Sequence, residues 1–100
     1  MLRANQRAEF TLIKRIATRF GELRNRTLIG IGDDCAVTRP NPKTLQLITT
    51  DLLVEDLHFN RHFASCHDIG YKAMVANLSD IAAMGGDPRQ FITSIAISKS

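Results

Sequence analysis

The sequence predicts one small domain that combines helices with a sheet, in the α+β or the α/β class. Three observations support this prediction. Apolar residues recur at helical spacing over residues 5–20, capping signals bound a second helical stretch, and β-branched residues are concentrated in short stretches outside both. Hydrophobic residues make up 44% of the 100 positions, which is enough for a core of limited size. We predict the order helix, strand, strand, helix, strand.

The first predicted element is a helix over residues 5–20. Its apolar side chains at positions 10, 13, 17 and 20 lie on one helical face, and Gly21 is a suitable end. Two extended segments follow at 35–38 and 44–54. The prolines within residues 39–43 predict a turn between them, so the two segments are expected to be neighbours.

A second helix is predicted over residues 66–84. Ser65 is a favourable N-cap, and Asp68 lies three residues further on, where a negative charge complements the helix amino terminus. The sequence Gly-Gly-Asp-Pro at 85–88 ends this helix. A last strand is predicted at 91–97, where β-branched residues are again frequent.

Several classes of protein are disfavoured by the composition. The chain has no apolar run of eighteen residues, which argues against a membrane span, and its start lacks the apolar stretch of a secretory signal. Cys35 and Cys66 stand alone, without Cys-x-x-Cys spacing, as is usual for proteins of a reducing compartment. We therefore expect a cytoplasmic protein with no membrane partner.

Charge is distributed unevenly along the chain. Residues 1–26 carry seven basic and two acidic side chains, a net charge of +5, whereas the remainder carries six basic and eight acidic ones, a net charge of −2. A basic arm of this kind can bind nucleic acid, but a solvated helix face explains it equally well. Because aromatic residues do not alternate with the charges, we expect no nucleic-acid partner.

Polar residues interrupt the apolar pattern at four places, one of which is His58. Asp33 and Asp34 follow two glycines in LIGIGDDCAV (28–37), Thr49–Asp51 lie where an apolar stretch gives way to a more acidic one, and Asn77 and Asp80 share one face of the second helix. Each carboxylate taken singly is better explained as a solvated surface or turn residue, since burying it unpaired is costly. Together, three acidic positions at the ends or faces of apolar elements predict a site for Mg²⁺, which prefers oxygen ligands.

Other chemical motifs are incomplete. Gly30 and Gly32 form only a fragment of a glycine-rich phosphate loop, without the remaining glycine or the lysine. His58 and His62 have helical spacing for zinc, but Phe59 stands where a zinc-protease motif requires glutamate. No Ser/His/Asp arrangement for nucleophilic catalysis is visible. These motifs do not compete with the magnesium interpretation.

The ordered motifs of this chain resemble the amino-terminal part of the thiamine-monophosphate kinase family. The resemblance rests on five segments, which are EF-x-LI (9–13), GIGDDCA (30–36), TTD-x-LVED-x-HF (49–59), GYKA (70–73) and NLSDIAAMG (77–85). That family is part of a wider group with aminoimidazole ribonucleotide synthetase, selenophosphate synthetase and a hydrogenase maturation protein. The resemblance implies the α+β fold of an aminoimidazole ribonucleotide synthetase-like amino-terminal domain, with a mixed sheet and packed helices.

The resemblance also implies a reaction and a set of site residues. The reaction is direct in-line transfer of the γ-phosphoryl group of ATP to thiamine monophosphate, with several Mg²⁺ ions as cofactors. His58 corresponds to a substrate contact, whereas Asp33 has no ligand role and is expected to support the turn. The implied magnesium ligands are Asp34, Thr49, Thr50, Asp51 and Asp80.

Members of the resembled family continue beyond the last predicted strand into further nucleotide contacts and a second α+β domain. Residues 1–100 are therefore expected to be an amino-terminal ATP- and Mg²⁺-binding domain that forms a homodimer by joining strands and is inactive in isolation. Two alternatives stay open. One is a non-catalytic dimerisation fragment, and the other is a related ATP-dependent synthetase of the same superfamily.

Overall fold

The computed structural model describes residues 4–20 and 26–99, which form two helices and five short strands. This arrangement confirms the α+β class. In chain order the elements are α1 (Ala4–Phe20), β1 (Thr27–Ile29), β2 (Ala36–Asn41), β3 (Thr44–Ile48), β4 (Leu52–Val54), α2 (Cys66–Ala83) and β5 (Ser94–Ala96). None of the described helices is long and apolar enough to cross a membrane.

The strands form two sheets. The first is antiparallel with the order β1-β2-β3, and Val37 of β2 lies opposite Leu47 of β3. The second is the parallel pair β4-β5, in which Leu53 lies opposite Ile95. The expected mixed sheet would contain parallel and antiparallel pairs together. Both kinds of pair occur among the described residues, but in two separate sheets.

The turn between β2 and β3 is narrower than the predicted 39–43. Strand β2 continues through Pro40, and the register of β2 against β3 is irregular between Thr38 and Asn41. This irregularity accommodates a proline, which has no N–H group for the strand ladder. The chain then reverses over two residues, where the Lys43 N–H donates to Asn41 Oδ1 at 3.0 Å.

Two strand predictions require correction, and one strand of the structure was not predicted. The expected strand at 44–54 is two strands, because Thr49–Asp51 bond to α2 instead of a neighbouring strand. Strand β1 was not predicted, since three residues are too few to show alternation. Strand β5 is shorter than the predicted 91–97, and the expected helix end at Gly21 lies outside the described residues.

Helix α2 begins and ends close to the predicted positions. At its start, the Asp68 N–H donates to Ser65 Oγ at 3.2 Å and the Ser65 N–H donates to Asp68 Oδ2 at 3.0 Å, which is a complete capping box. At its end, Gly85 has φ +68, a left-handed conformation that glycine adopts without strain. Both ends of α2 are therefore determined by local sequence.

The main core cluster lies between α2, β4 and the segment that follows β4. Leu53, Phe59, Ile69 and Ala73 are buried together there. By contrast, none of the 17 residues of α1 is buried, and its aromatic side chains at positions 10 and 20 are exposed. The core therefore fixes α2 against β4, and this contact brings the acidic segments of the chain together.

An ion pair joins the chain segments that follow β4 and β5. The Glu55 side chain is only 8% exposed; it accepts from the Arg61 guanidinium and from Ser98, whose N–H and hydroxyl lie at 2.8 and 2.7 Å. Arg61 also donates to the Ser98 carbonyl at 3.2 Å. The hydrogen bonds from Arg61 and then Ser98 lower the pKa of Glu55 from 4.5 to about 2.

This ion pair predicts an acid-sensitive contribution to stability. Because the pKa of Glu55 is lower in the folded state, the contribution is complete above pH 4.5 and is lost as the pH falls toward 2. Urea unfolding at several pH values should show that Glu55→Gln is less stable than the wild type at pH 6 and nearly equal to it at pH 2. Ser98→Ala removes only the hydroxyl donor to Glu55, so its stability at pH 6 should lie between those of the wild type and Glu55→Gln. Equal differences at pH 6 and pH 2 would contradict this assignment.

Candidate functional site

The acidic turn after β1 is shaped by a glycine and closed by the first aspartate. Gly32 has φ +116, which side-chain-bearing residues rarely adopt. The Asp34 N–H donates to Asp33 Oδ1 at 2.9 Å, so the Asp33 carboxylate bonds within the turn. This is the supporting position expected for Asp33, and it leaves the exposed Asp34 side chain as the group that the turn presents.

Thr49 connects this turn to helix α2. Its Oγ1 lies 3.1 Å from the Asp34 carbonyl oxygen and 3.1 Å from Asp80 Oδ2. The hydroxyl has one proton, so it donates to only one of these acceptors at a time, and its oxygen keeps lone pairs that a cation can use. The Thr49 hydroxyl therefore brings together three segments that are far apart in sequence.

Asn77 holds the other end of the Thr49–Asp51 segment. Its Oδ1 accepts from the Asp51 N–H at 3.2 Å, and its Nδ2 donates to the Ala73 carbonyl one turn earlier at 2.9 Å. The i, i+3 spacing predicts that Asn77 shares a helix face with Asp80, but it indicates no role for Asn77. A buried role for Asn77 could have been inferred from its position, since it is an amide among small and apolar residues on the helix face that carries Asp80.

Cys35 packs directly behind the carboxylates. It is 2% exposed, and its thiol lies 3.4 Å from the Asp80 carbonyl oxygen. Burial, followed by the negative charges of Asp80 and Asp34, raises the pKa of the Cys35 thiol. The thiol is therefore neutral near pH 7, and the site around it has a negative potential that attracts cations.

Hydrogen bonds connect four of the five predicted magnesium ligands to helix α2 or to each other, Thr49 and Asp80 through their side chains and Asp34 and Asp51 through main-chain groups. Asp51 and Asp80 are half-buried, and Thr50 is exposed between the two anchored residues of its segment. No three His, Cys, Asp or Glu side chains of the described residues are arranged to hold a metal ion by themselves. The oxygen-rich set nevertheless fits Mg²⁺, which usually takes one or two carboxylates together with waters and substrate phosphates.

His58 lies at the opposite end of β4 from Asp51. The Nδ1 atom of the His58 ring accepts from the Val54 N–H at 2.9 Å. The main-chain N–H of His58 donates to the Val54 carbonyl at 2.8 Å. An accepting Nδ1 places the proton of the neutral ring on Nε2. The structure therefore does not join His58 to the carboxylates; it holds an exposed imidazole beyond the other end of a three-residue strand.

Comparison with known families identifies the class of this domain. The family model "AIR synthase related protein, N-terminal domain" matches residues 32–100, which include the acidic turn, the Thr49–Asp51 segment and α2. The chain belongs to this family.

Curated relatives within the class carry a more specific name. The chain is similar to thiamine-monophosphate kinases from three bacteria: it is 46% identical to that of Bacillus subtilis over 69 residues, 45% to that of Escherichia coli K12 over 80 residues, and 45% to that of Haemophilus influenzae over 82 residues. These matches cover 69%, 80% and 81% of this chain but only 21%, 24% and 24% of the relatives. The chain thus spans about a quarter of the length of the curated relatives that it matches. No solved structure gives a significant match.

The resemblance to the thiamine-monophosphate kinase family is thereby confirmed.

Proposed function

We propose that this chain supplies the metal- and nucleotide-binding part of a thiamine-monophosphate kinase, which transfers the γ-phosphoryl group of ATP to thiamine monophosphate. The observation that carries the proposal is the Thr49 hydroxyl, which lies 3.1 Å from both the Asp34 carbonyl and the Asp80 carboxylate. The names of the curated relatives support the kinase over a synthetase of the same superfamily. Thiamine diphosphate is the product of this reaction.

The proposed ligand groups are the oxygens of the acidic turn, the Thr49–Asp51 segment and α2. They would hold Mg²⁺ through Asp34, Thr49, Thr50, Asp51 and Asp80. Bound Mg²⁺ neutralises the charge on the phosphate oxygens of the nucleotide. The residues of the chain contribute orientation: Asp33 closes the turn, and helix α2 holds the Thr49–Asp51 segment at both ends. In-line transfer depends mainly on such positioning and needs little covalent help from the protein.

His58 is proposed to contact the phosphate acceptor. Anchoring of Nδ1 by the Val54 N–H leaves an exposed ring whose Nε2–H can donate to a phosphate oxygen. Strand β4 separates it from Asp51 by about 10 Å, the length of three extended residues. This separation supports different roles for the two ends of β4, with metal and nucleotide at one end and the acceptor at the other.

We also propose that the chain forms a homodimer in the cytoplasm. Strands β1 and β3 are the edges of the antiparallel sheet, and Leu45 and Ile48 of β3 are 56% and 51% exposed. Edges of this kind pair readily with a second copy. Cys35 and Cys66 are both free thiols, which supports a reducing compartment.

The function can be tested in a chimera. Residues 1–100 would replace the matching segment of the Escherichia coli kinase, and thiamine diphosphate formation would be measured with ATP, Mg²⁺ and thiamine monophosphate. We expect the chimera to form product and the 100-residue chain alone to form none, because the chain spans about a quarter of its relatives.

The Escherichia coli kinase, reassembled at the same junction from its own segments, is the control for the junction. A folded chimera without activity beside an active control would contradict the proposed function. Product formation by the 100-residue chain alone would contradict the expectation that it is inactive in isolation.

A further inference from the structure

Asn77 is the most deeply buried polar residue of the part of the chain that the structure describes, with 4% of its surface exposed. It lies between the core cluster and the acidic site, one turn of α2 after Ala73. A buried amide requires hydrogen-bond partners, and both of its polar atoms have main-chain partners.

We propose that Asn77 is a positioning residue that fixes the main chain of Asp51, and thereby the direction in which the Asp51 carboxylate is presented. Its relevance to metal binding rests on the proposed function. The hydrogen bond itself can be tested without any metal, so the two claims can fail separately.

The orientation of the Asn77 amide is determined by its partners. Nδ2 donates to the Ala73 carbonyl of its own helix, and this bond turns Oδ1 toward the Asp51 N–H. The reversed amide would place a donor against the Asp51 N–H and an acceptor against the Ala73 carbonyl, which satisfies neither group. Asn77 therefore has one productive orientation, and in it the amide joins α2 to the residue before β4.

Helix α2 consequently holds the Thr49–Asp51 segment at two points. Asn77 and Asp80 are three residues apart on one face; Asn77 accepts from the Asp51 N–H and Asp80 accepts from the Thr49 hydroxyl. Thr50 lies exposed between these anchors. Loss of the Asn77 anchor frees the Asp51 end while the Thr49 end stays bound. We expect this to alter the carboxylate position more than the fold.

The hydrogen bond is tested by amide hydrogen exchange, measured by NMR on the 100-residue chain. The Asp51 N–H should be protected in the wild type and should lose this protection in Asn77→Leu and in the smaller Asn77→Ala, both of which remove the acceptor oxygen. Asn60→Leu is the matched control, because Asn60 Oδ1 accepts from the His62 N–H at 2.8 Å in a different loop. That variant should deprotect His62 and leave Asp51 unchanged.

The consequence for the metal site is tested with Mn²⁺ as the probe, by electron paramagnetic resonance of the free ion. Asn77→Leu should weaken Mn²⁺ binding at least about tenfold, the effect typical of residues that orient metal ligands. Asn60→Leu should bind Mn²⁺ like the wild type.

An unprotected Asp51 N–H in the wild type, or wild-type Mn²⁺ affinity in a folded Asn77→Leu variant, would overturn the inference. If Asn77→Leu does not fold, Asn77→Ala decides: lost protection of the Asp51 N–H supports the inference, and retained protection overturns it. A wild-type chain that protects Asp51 but binds no Mn²⁺ would refute the proposed metal site while supporting the positioning role.

Discussion

Asp80→Asn in the chimeric kinase is expected to lower turnover at least about tenfold, which corresponds to about 1.4 kcal/mol of additional barrier. Asparagine has the shape of aspartate and can still accept from the Thr49 hydroxyl, which lies 3.1 Å from Oδ2. The substitution therefore removes charge while keeping the local contact. Less negative charge weakens the attraction for Mg²⁺, so the magnesium concentration required for half-maximal rate should rise.

Asp51→Asn should have an effect of similar size, because it also replaces a carboxylate by an uncharged amide. The main-chain N–H of Asp51 donates to Asn77, which lies one turn before Asp80 on the same helix. The matched control is Asp87→Asn, an exposed aspartate paired with Arg89 at 2.7 Å beyond the end of α2. It removes one carboxylate that is outside the proposed ligand set and should leave the magnesium titration unchanged. Wild-type magnesium titrations in Asp51→Asn and Asp80→Asn would exclude both residues as ligands.

Leu53→Ala is expected to reduce the free energy of unfolding by about 2–5 kcal/mol, the usual cost of emptying a buried leucine position. Leu53 is 4% exposed and packs with Phe59, Ile69 and Ala73 in the main core cluster. For a domain of this size each kcal/mol lowers Tm by about 4–8 °C. The loss is therefore a large part of the total stability of a small domain.

Leu52→Ala is the matched control for this prediction. The two leucines are neighbours in β4, but Leu52 is 55% exposed, because successive side chains of a strand point to opposite faces. Its truncation should change stability by less than about 0.5 kcal/mol. Thermal unfolding followed by circular dichroism can compare the two variants. Equal losses of stability would show that the core does not lie on the Leu53 face of β4.

The sequence predicts the parts of the fold that are determined by residues close together in the chain. Helix α2 was predicted within one residue because Ser65 and Asp68 cap one end and glycines end the other. The break between β3 and β4 was not predicted, because it depends on bonds from Thr49 and Asp51 to a helix about 30 residues further along the chain. Patterns within a short window do not contain such contacts.

The candidate site likewise has features that the sequence predicts and features that only the folded structure shows. Carboxylates at element ends identified the acidic segments, but the resemblance to a known family was needed to assign individual ligand positions. Cys35 was noted only as a free thiol, and the Glu55–Arg61 ion pair was missed altogether. The sequence around Glu55 did not indicate this ion pair, because the second partner, Ser98, follows a different strand and meets Glu55 only through the parallel pairing of β4 with β5.

The three acidic segments meet only through long-range contacts, so the proposed metal site requires the folded chain. Any ion that binds there acts as a folding ligand, and by mass action it stabilises the native state by about 2.7 kcal/mol at a concentration one hundred times its dissociation constant. Through α2, which packs on the core with Ile69 and Ala73 and meets the site with Asn77 and Asp80, core stability and ion affinity are thermodynamically linked. A substitution in the core that loosens α2 would therefore raise the ion concentration at which the domain is half-folded.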